Sequence, residues 1–277
     1  TGSPLGITPD KFEDRIEWMA DEHDVEIPVD VEQADVLAVM SSIEIQKYPQ
    51  SIAATAQILN AAGETWTFRL DGFEATNFGL LSGNPDWQKE ATMKIINAAV
   101  KIGAKMVVLP ECGHAYQALR WMGANMYGKP LPFRVLHISE YLSEALDQEK
   151  IKVKHVDTSV TYHDPCQVSR RGGATEAARN VLKHLGVDFR EMEFGGDYNW
   201  CCGGGGGVVT ITRADPLRRR VFKLKMDQVE KTEADELLSS CANCRQSFDD
   251  CQEYFNWDYK MGSLMEMVAE NLEEVRS

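Results

Sequence analysis

The chain has 277 residues, 43 acidic against 29 basic side chains and a formal charge of -14. Such a surface repels nucleic acid and anionic membrane, which excludes both as partners. No apolar run approaches the roughly 18 residues of a membrane span, and TGSPLGITPD at the start lacks the basic and apolar blocks of a secretion signal.

Residues 1–33 read as a linker or N-terminal extension. After them, ADVLAVMSS (34–42), TWTFRL (65–70) and KMVVLP (105–110) are short apolar runs closed by turn signals. The segments between them are long enough for helices, which is the βαβ pattern. It returns in TSVTYHDP (158–165), VDFREMEF (187–194) and ADELLSS (234–240), so the chain reads as a duplication. Gly63 and Gly186 each follow a helical segment and suit a left-handed cap. NFG (77–79) then stands where the second half has CCG (201–203). Asn84 before Pro85 and Asp215 before Pro216 give each half an N-cap with proline at the first helical position. Each half next runs through a strand into a cysteine, Cys112 in PECGHA and Cys241 in SSCANC. The expected fold is α/β, with two tandem Rossmann-like βαβ repeats (34–135 and 136–250) packed face to face around a central cleft. Residues 251–277 read as a C-terminal helical segment.

Of the seven cysteines, all but Cys251 fall at strand ends or in the loops after them, where ligands of open α/β sheets sit. A chain this long needs no disulfide staples and neighbouring cysteines rarely pair, so the thiols read as reduced. Cys166 is followed after 34 residues by Cys201 and Cys202, and after 38 more by Cys241 and Cys244 in a CxxC. Three loops thus bring five thiolates to one point, and thiolates select iron-sulfur clusters, zinc or copper(I). Zinc takes four ligands, usually from two CxxC knuckles, whereas only one is present here, so a multinuclear cluster fits the count better. The adjacent side chains of Cys201 and Cys202 point apart and suit different metal atoms. Beside them, Gly203, Gly204 and the glycines to Gly207 remove every β-carbon, letting backbone N–H groups approach sulfur. A plain flexible loop is the alternative for that run.

The pattern Cys-x34-Cys-Cys-x38-Cys-x2-Cys closely resembles the CCG, or cysteine-rich, domain found in the B and D subunits of heterodisulfide reductase and their relatives. Those relatives include the K subunit of the complex linked to dissimilatory sulfite reductase. The resemblance spans about residues 34–250 as two repeats. It implies that Cys166, Cys201, Cys202, Cys241 and Cys244 ligate one non-cubane [4Fe-4S] cluster, with Gly203 and Gly204 beside it. The first repeat departs from the family: Asn77 and Phe78 replace its CC, and Cys112 with Ala115 its CxxC. One thiol cannot hold a cluster, so a single cluster is expected.

Catalytic roles are expected for Cys112, as a substrate contact or transient mixed disulfide, and for His163, three residues before Cys166, as a hydrogen-bond donor or proton carrier. A buried leftover thiol and a hydrogen-bonded loop histidine are the alternatives. His114, beside Cys112, invites the same proposal. Asp164 reads as a turn cap, Arg218 to Arg220 as a helix face, and Trp87, Trp121 and Trp200 as core or interface. Arg170 and Arg171 suit solvated loop positions or an acidic partner, and Cys251 has no assigned role.

The expected function is that of an iron-sulfur subunit of a heterodisulfide-reductase-like complex, cytoplasmic or membrane-associated through a partner subunit. It would reduce or form a disulfide or trisulfide of a small thiol or carrier protein. A cluster handles electrons singly where an S–S bond needs two. No CxxCxxCxxxCP segment or GxGxxG occurs, so a ferredoxin-type iron-sulfur partner subunit or domain is implied. The alternatives are a non-catalytic electron-transfer iron-sulfur subunit of a flavin dehydrogenase complex and a zinc-bound structural domain.

Overall fold

The computed structural model describes residues 3–273. Helix α1 (Pro9–His23) is capped by Thr8 and buries Phe12, Ile16 and Met19 along one face. Strand β1 (Val36–Ala38) leads through α2 (Ser42–Lys47) and α3 (Gln50–Ala61) to β2 (Trp66–Phe68), then through α4 (Phe78–Ser82) and α5 (Pro85–Lys101) to β3 (Met106–Leu109). Helices α6 (Gly113–Tyr116) and α7 (Gly123–Tyr127), with a π-helical turn over Gln117–Trp121 between them, precede β4 (Arg134–His137) and α8 (Ile138–Asp147). The second half runs β5 (Ser159–His163), α9 (Glu176–Leu185), β6 (Asp188–Phe189), α10 (Asp215–Glu230), β7 (Glu236–Ser239), α11 (Ala242–Phe255), β8 (Lys260–Ser263) and α12 (Leu264–Glu270).

Each half forms a four-stranded parallel sheet, in the orders β2-β1-β3-β4 and β6-β5-β7-β8. In terms of each half's own strands the orders are identical, which makes the duplication a structural fact. Strands β1, β2, β5 and β7 are buried throughout, as parallel strands with both faces covered must be. The strand order reverses between β1 and β3 and between β5 and β7, and a crevice opens at the carboxyl ends of such strand pairs.

The halves meet helix to helix. Helix α3 lies on α12, and α8 lies on α9, so each half lends its first crossover helix to the other's last. Ile52, Ala56, Leu142, Val181, Leu185, Leu264 and Val268 belong to one continuous core that also takes in Val108, Val160 and Leu238 from the two sheets. Polar contacts fix the register: Ser51 Oγ donates to Glu266 at 3.2 Å and Asn180 Nδ2 to Ser143 Oγ at 2.9 Å. A groove of about 1110 Å3 lies between α8, the start of α9 and the loop around Tyr198.

Three expected boundaries shift. Residues 1–33 are no linker, because α1 packs Phe12 against Phe68 and Phe73 at ring-centroid distances of 5.3 and 4.6 Å. The first half extends past residue 135, since β4 pairs with β3 and α8 follows it. The second extends past 250 because β8, inside the supposed helical segment 251–277, completes its sheet; residues 274–277 of that segment lie outside the described residues. The glycine caps are as expected, Gly63 and Gly186 standing at φ of 67° and 69°. Asn84 accepts from the N–H groups of Asp86 and Trp87 as an N-cap. Asp215 does not cap, because a 3-10 turn over Thr212–Ala214 runs straight into α10 and its carboxylate pairs with Arg218 instead. No helix among the described residues is long and apolar enough to cross a membrane.

Candidate iron-sulfur centre

The sheet delivers Cys166 and Cys241 to neighbouring points, because β5 and β7 pair in parallel up to His163 and Ser239, and both chains then turn off the sheet. After β5, Val168 and Ser169 donate backbone bonds to Pro165, wrapping the chain into a tight turn around Cys166. After β7, Cys241 becomes the N-cap residue of α11 and Cys244 lies in its first turn.

The pair Cys201 and Cys202 comes from the loop between β6 and α10 and is clamped to both other loops. Ser247 Oγ on α11 donates to Cys202 O at 2.9 Å, and Asn243 Nδ2 to Gly204 O at 2.9 Å. Arg170 donates to the carbonyls of Asp197 and Asn199. Asp164, expected as a turn cap, is buried and does more: its carboxylate takes Arg179 at 2.9 and 3.0 Å and accepts from Gly196 N–H at 2.7 Å. Asp164 and Arg179 therefore set the distance between the Cys166 turn and the CC loop. Sequence reasoning missed Arg179, whose signal is only that a buried carboxylate needs a cation.

The five thiols act on one another in sequence, Cys166 on Cys201, Cys201 on Cys202, Cys202 on Cys244, and Cys244 on Cys241. The sulfurs of Cys202 and Cys244 lie within 4.8 Å of each other. Gly203 N–H donates to Cys201 Sγ at 3.3 Å and Gly204 N–H to Cys202 Sγ at 3.4 Å. Gly203 has φ 83°, and a β-carbon on Gly204 would lie 2.7 Å from that of Ser247, so the turn requires glycine at both positions. Cys202, Cys241 and Cys244 are buried, Cys166 is partly open and Cys201 is exposed. Hydrogen bonds from Cys166 and Cys202 drive the Cys201 thiol far down, and the bond to Cys201 pushes Cys166 up. Cys241 falls to about 7, chiefly through Cys244. Three buried sulfurs, one half-open and one exposed, with two backbone N–H groups aimed at sulfur, fit a polynuclear thiolate-bound group with one accessible flank.

His163 ends β5 and is 1% exposed; a ring nitrogen lies within 4.8 Å of the sulfurs of Cys202 and Cys244. Its ring meets Phe248 edge-on at 4.9 Å. Burial, then the charge of Lys225, holds its pKa well down, so the ring is neutral at pH 7. Lys225 on α10 is itself buried, and desolvation draws it down to about 8 against the opposing pull of Asp164, Cys202, Cys244 and Cys201.

Cys112 caps α6 and is buried in the first-half core. Burial and then Glu44 push its thiol well up, so it stays protonated. His114 Nδ1 stands 3.9 Å from its sulfur. The seam here is tight: Ala242 N–H donates to Glu111 O at 2.9 Å, and Arg245 bridges Glu111 and Glu266 at 2.8 and 2.9 Å. The equivalent crevice of the first half is filled with hydrogen-bonded polar groups. Glu44 accepts from Ser41 N–H at 2.8 Å and Glu111 N–H at 2.7 Å, and Asn77 Nδ2 donates to Gln88 O and Thr92. Trp87, Trp121 and Trp200 are exposed rather than core, whereas Arg218 is buried, pairing with Asp215 and Asp250 at 3.0 and 3.1 Å. Cys251 is buried among Phe222, Phe248 and the other apolar residues of that core.

Residues 160–249 match the family model described as a cysteine-rich domain, CCG. The second half is thus similar to the CCG cysteine-rich domain family. Along 94% of its length it is 30% identical to the D subunit of dihydromethanophenazine:CoB–CoM heterodisulfide reductase from Methanosarcina mazei, and it spans 63% of that protein. Similarity at 25% identity extends over 98% of the chain to the second iron-sulfur subunit of the Hdr-like menaquinol oxidoreductase of Archaeoglobus fulgidus, of which it covers 58%. A 34% identical match to the B subunit of the CoM/CoB fumarate reductase of Methanothermobacter marburgensis takes in 51% of the chain and 28% of that protein. The chain thus spans less than two thirds of these relatives. Among solved structures, a hypothetical protein from Helicobacter pylori shares the fold at TM-score 0.53 and 12% identity, over 95% of this chain and 54% of that one. The matched CCG domain contains all five aligned thiols, from Cys166 to Cys244.

Proposed function

We propose that the chain is an iron-sulfur subunit of a heterodisulfide-reductase-like complex, holding one non-cubane [4Fe-4S] cluster on Cys166, Cys201, Cys202, Cys241 and Cys244. The observation that carries this reading is the gathering of five mutually interacting thiols from three loops, with Cys202 and Cys244 within 4.8 Å and Cys201 exposed. When bound, the cluster supplies electrons singly and an iron at which a sulfur can be held. The reaction is cleavage of an S–S bond: RSSR′ takes two electrons and two protons and gives RSH and R′SH, or the reverse. The relatives' names point to a heterodisulfide of the CoB–CoM kind as one substrate class; a carrier-protein disulfide or trisulfide is the other.

The chain's own residues divide the remaining work. Asp164, Arg179 and Arg170 hold the CC loop against the Cys166 turn, and the N–H groups of Gly203 and Gly204 stabilise negative sulfur. His163, neutral, serves as a hydrogen-bond donor to sulfur rather than as an acid, so the two protons come from water at the Cys201 flank. Cys112, buried and protonated, has no part in covalent chemistry on this reading. Electrons arrive from a ferredoxin-type partner subunit or domain, which also accounts for any membrane association.

The test is electron paramagnetic resonance of the anaerobically reconstituted, oxidised protein with and without coenzyme M. A signal whose line shape changes on adding the thiol is expected. A signal indifferent to thiols would instead favour a pure electron relay in a flavin dehydrogenase complex.

A further inference from the structure

Around the five thiols, the buried and partly buried arginines among the described residues are matched by carboxylates. Arg179 pairs with Asp164 and Glu191, Arg218 with Asp215 and Asp250, and Arg245 with Glu111 and Glu266. Lys225 has no such partner among the described residues. It is 1% exposed on the inner face of α10, and the polar contact its Nζ makes there is with Met192 Sδ at 3.7 Å. A thioether is a weak acceptor and carries no charge. Asp164, the carboxylate that acts most on the ammonium, is already engaged by Arg179 and Gly196 N–H. The other groups acting on Lys225 are the sulfurs of Cys202, Cys244 and Cys201. Met192 belongs to the same small core as Cys202, Cys241 and Cys244, so ammonium and thiols share one water-excluded region.

An unpaired ammonium taken out of water is costly, and natural folds neutralise such a charge or use it. We propose that Lys225 is the internal counter-charge of the sulfur centre and sets its reduction potential from the buried side. The inference rests on the proposed cluster being present. Reduction adds negative charge to a group already anionic through its thiolates, and a fixed cation in a low-dielectric region favours that added charge. The ammonium therefore raises the potential. The arginines contribute little to this field because their carboxylates cancel them.

Two measurements on Lys225→Met, which keeps length and removes charge, decide the matter. In the loaded protein, an anaerobic redox titration followed by electron paramagnetic resonance should show a midpoint more negative than wild type. Lys225→Arg should stay close to wild type. In the cluster-free protein the unpaired charge is a burden, so Lys225→Met should raise the urea midpoint. An unchanged redox potential at equal iron content would overturn the proposal, as would a lowered urea midpoint or a Lys225→Met chain that fails to fold. If wild type itself takes up no iron and sulfide, the functional reading fails, while the urea comparison still reports whether Lys225 is uncompensated.

Discussion

Three imidazoles sit among the described elements that surround the thiols, and burial lowers the pKa of each: His114 to about 4, His137 to about 3, and His163 well below its ordinary value. His137 gives the cleanest consequence, being wholly buried with Nδ1 held by Ser139 Oγ at 2.9 Å. In the unfolded chain it titrates near 6.5. Between that value and about 3 the unfolded state binds the extra proton, so its contribution to stability is complete above pH 6.5 and drains away as pH falls. Glu111, raised to about 8 mainly by burial, acts with the opposite sign between about 4.5 and 8, so the net profile mixes both. The difference between wild type and His137→Asn isolates one residue. Urea unfolding of the cluster-free chain from pH 4.5 to 6.5 should show the variant's slope lower by up to about 1.4 kcal/mol per pH unit. Equal slopes would mean that His137 is solvated.

At this scale the thiols were legible and their supports were not. Five cysteines at family spacing stand out because cysteine is rare and soft-metal chemistry demands it. Asp164 beside proline reads locally as a turn residue, and nothing in the order of residues says that Arg179, on a helix after the loop, will reach back to it. Lys225 looks like any lysine on a charged helix, since DPLRRRVFKLKMDQVE hides which face turns inward.

At the scale of elements, the reciprocal pairing of α3 with α12 and α8 with α9 joins the halves through apolar side chains rather than through a linker. Leu185, fully buried at the end of α9, is part of that joint. Leu185→Ala should lower unfolding free energy by about 2–5 kcal/mol, and denaturation by urea should remain a single transition for both sheets. Two separated transitions would show that the shared core does not couple them. Duplication was readable because Gly63 and Gly186, NFG and CCG, Cys112 and Cys241 recur in the same order. Strands β4 and β8 escaped notice because RVLH and KMGS are four-residue strands at the sheet edges, each continuing directly into a helix. Helix α1 escaped because its apolar residues, Phe12, Ile16 and Met19, are set among so many charged ones.

At the scale of the whole molecule, two copies of one architecture have diverged at equivalent crevices. The second keeps five thiols; the first is packed with Ser41, Glu44 and Glu111, which hydrogen-bond to one another, and with Asn77, held by Gln88 O and Thr92, leaving Cys112 as its single thiol. The filled crevice still serves the other. Through Ala242 N–H to Glu111 O and the Arg245 bridge, it braces the start of α11, where Cys241 and Cys244 stand. The account therefore requires one polynuclear centre per chain. Iron, acid-labile sulfide and zinc in the anaerobically reconstituted chain test this most directly. About four iron and four sulfide per chain are expected, retained in Cys112→Ser and lost in Cys202→Ser. Zinc without sulfide, or iron that survives Cys202→Ser unchanged, would contradict it.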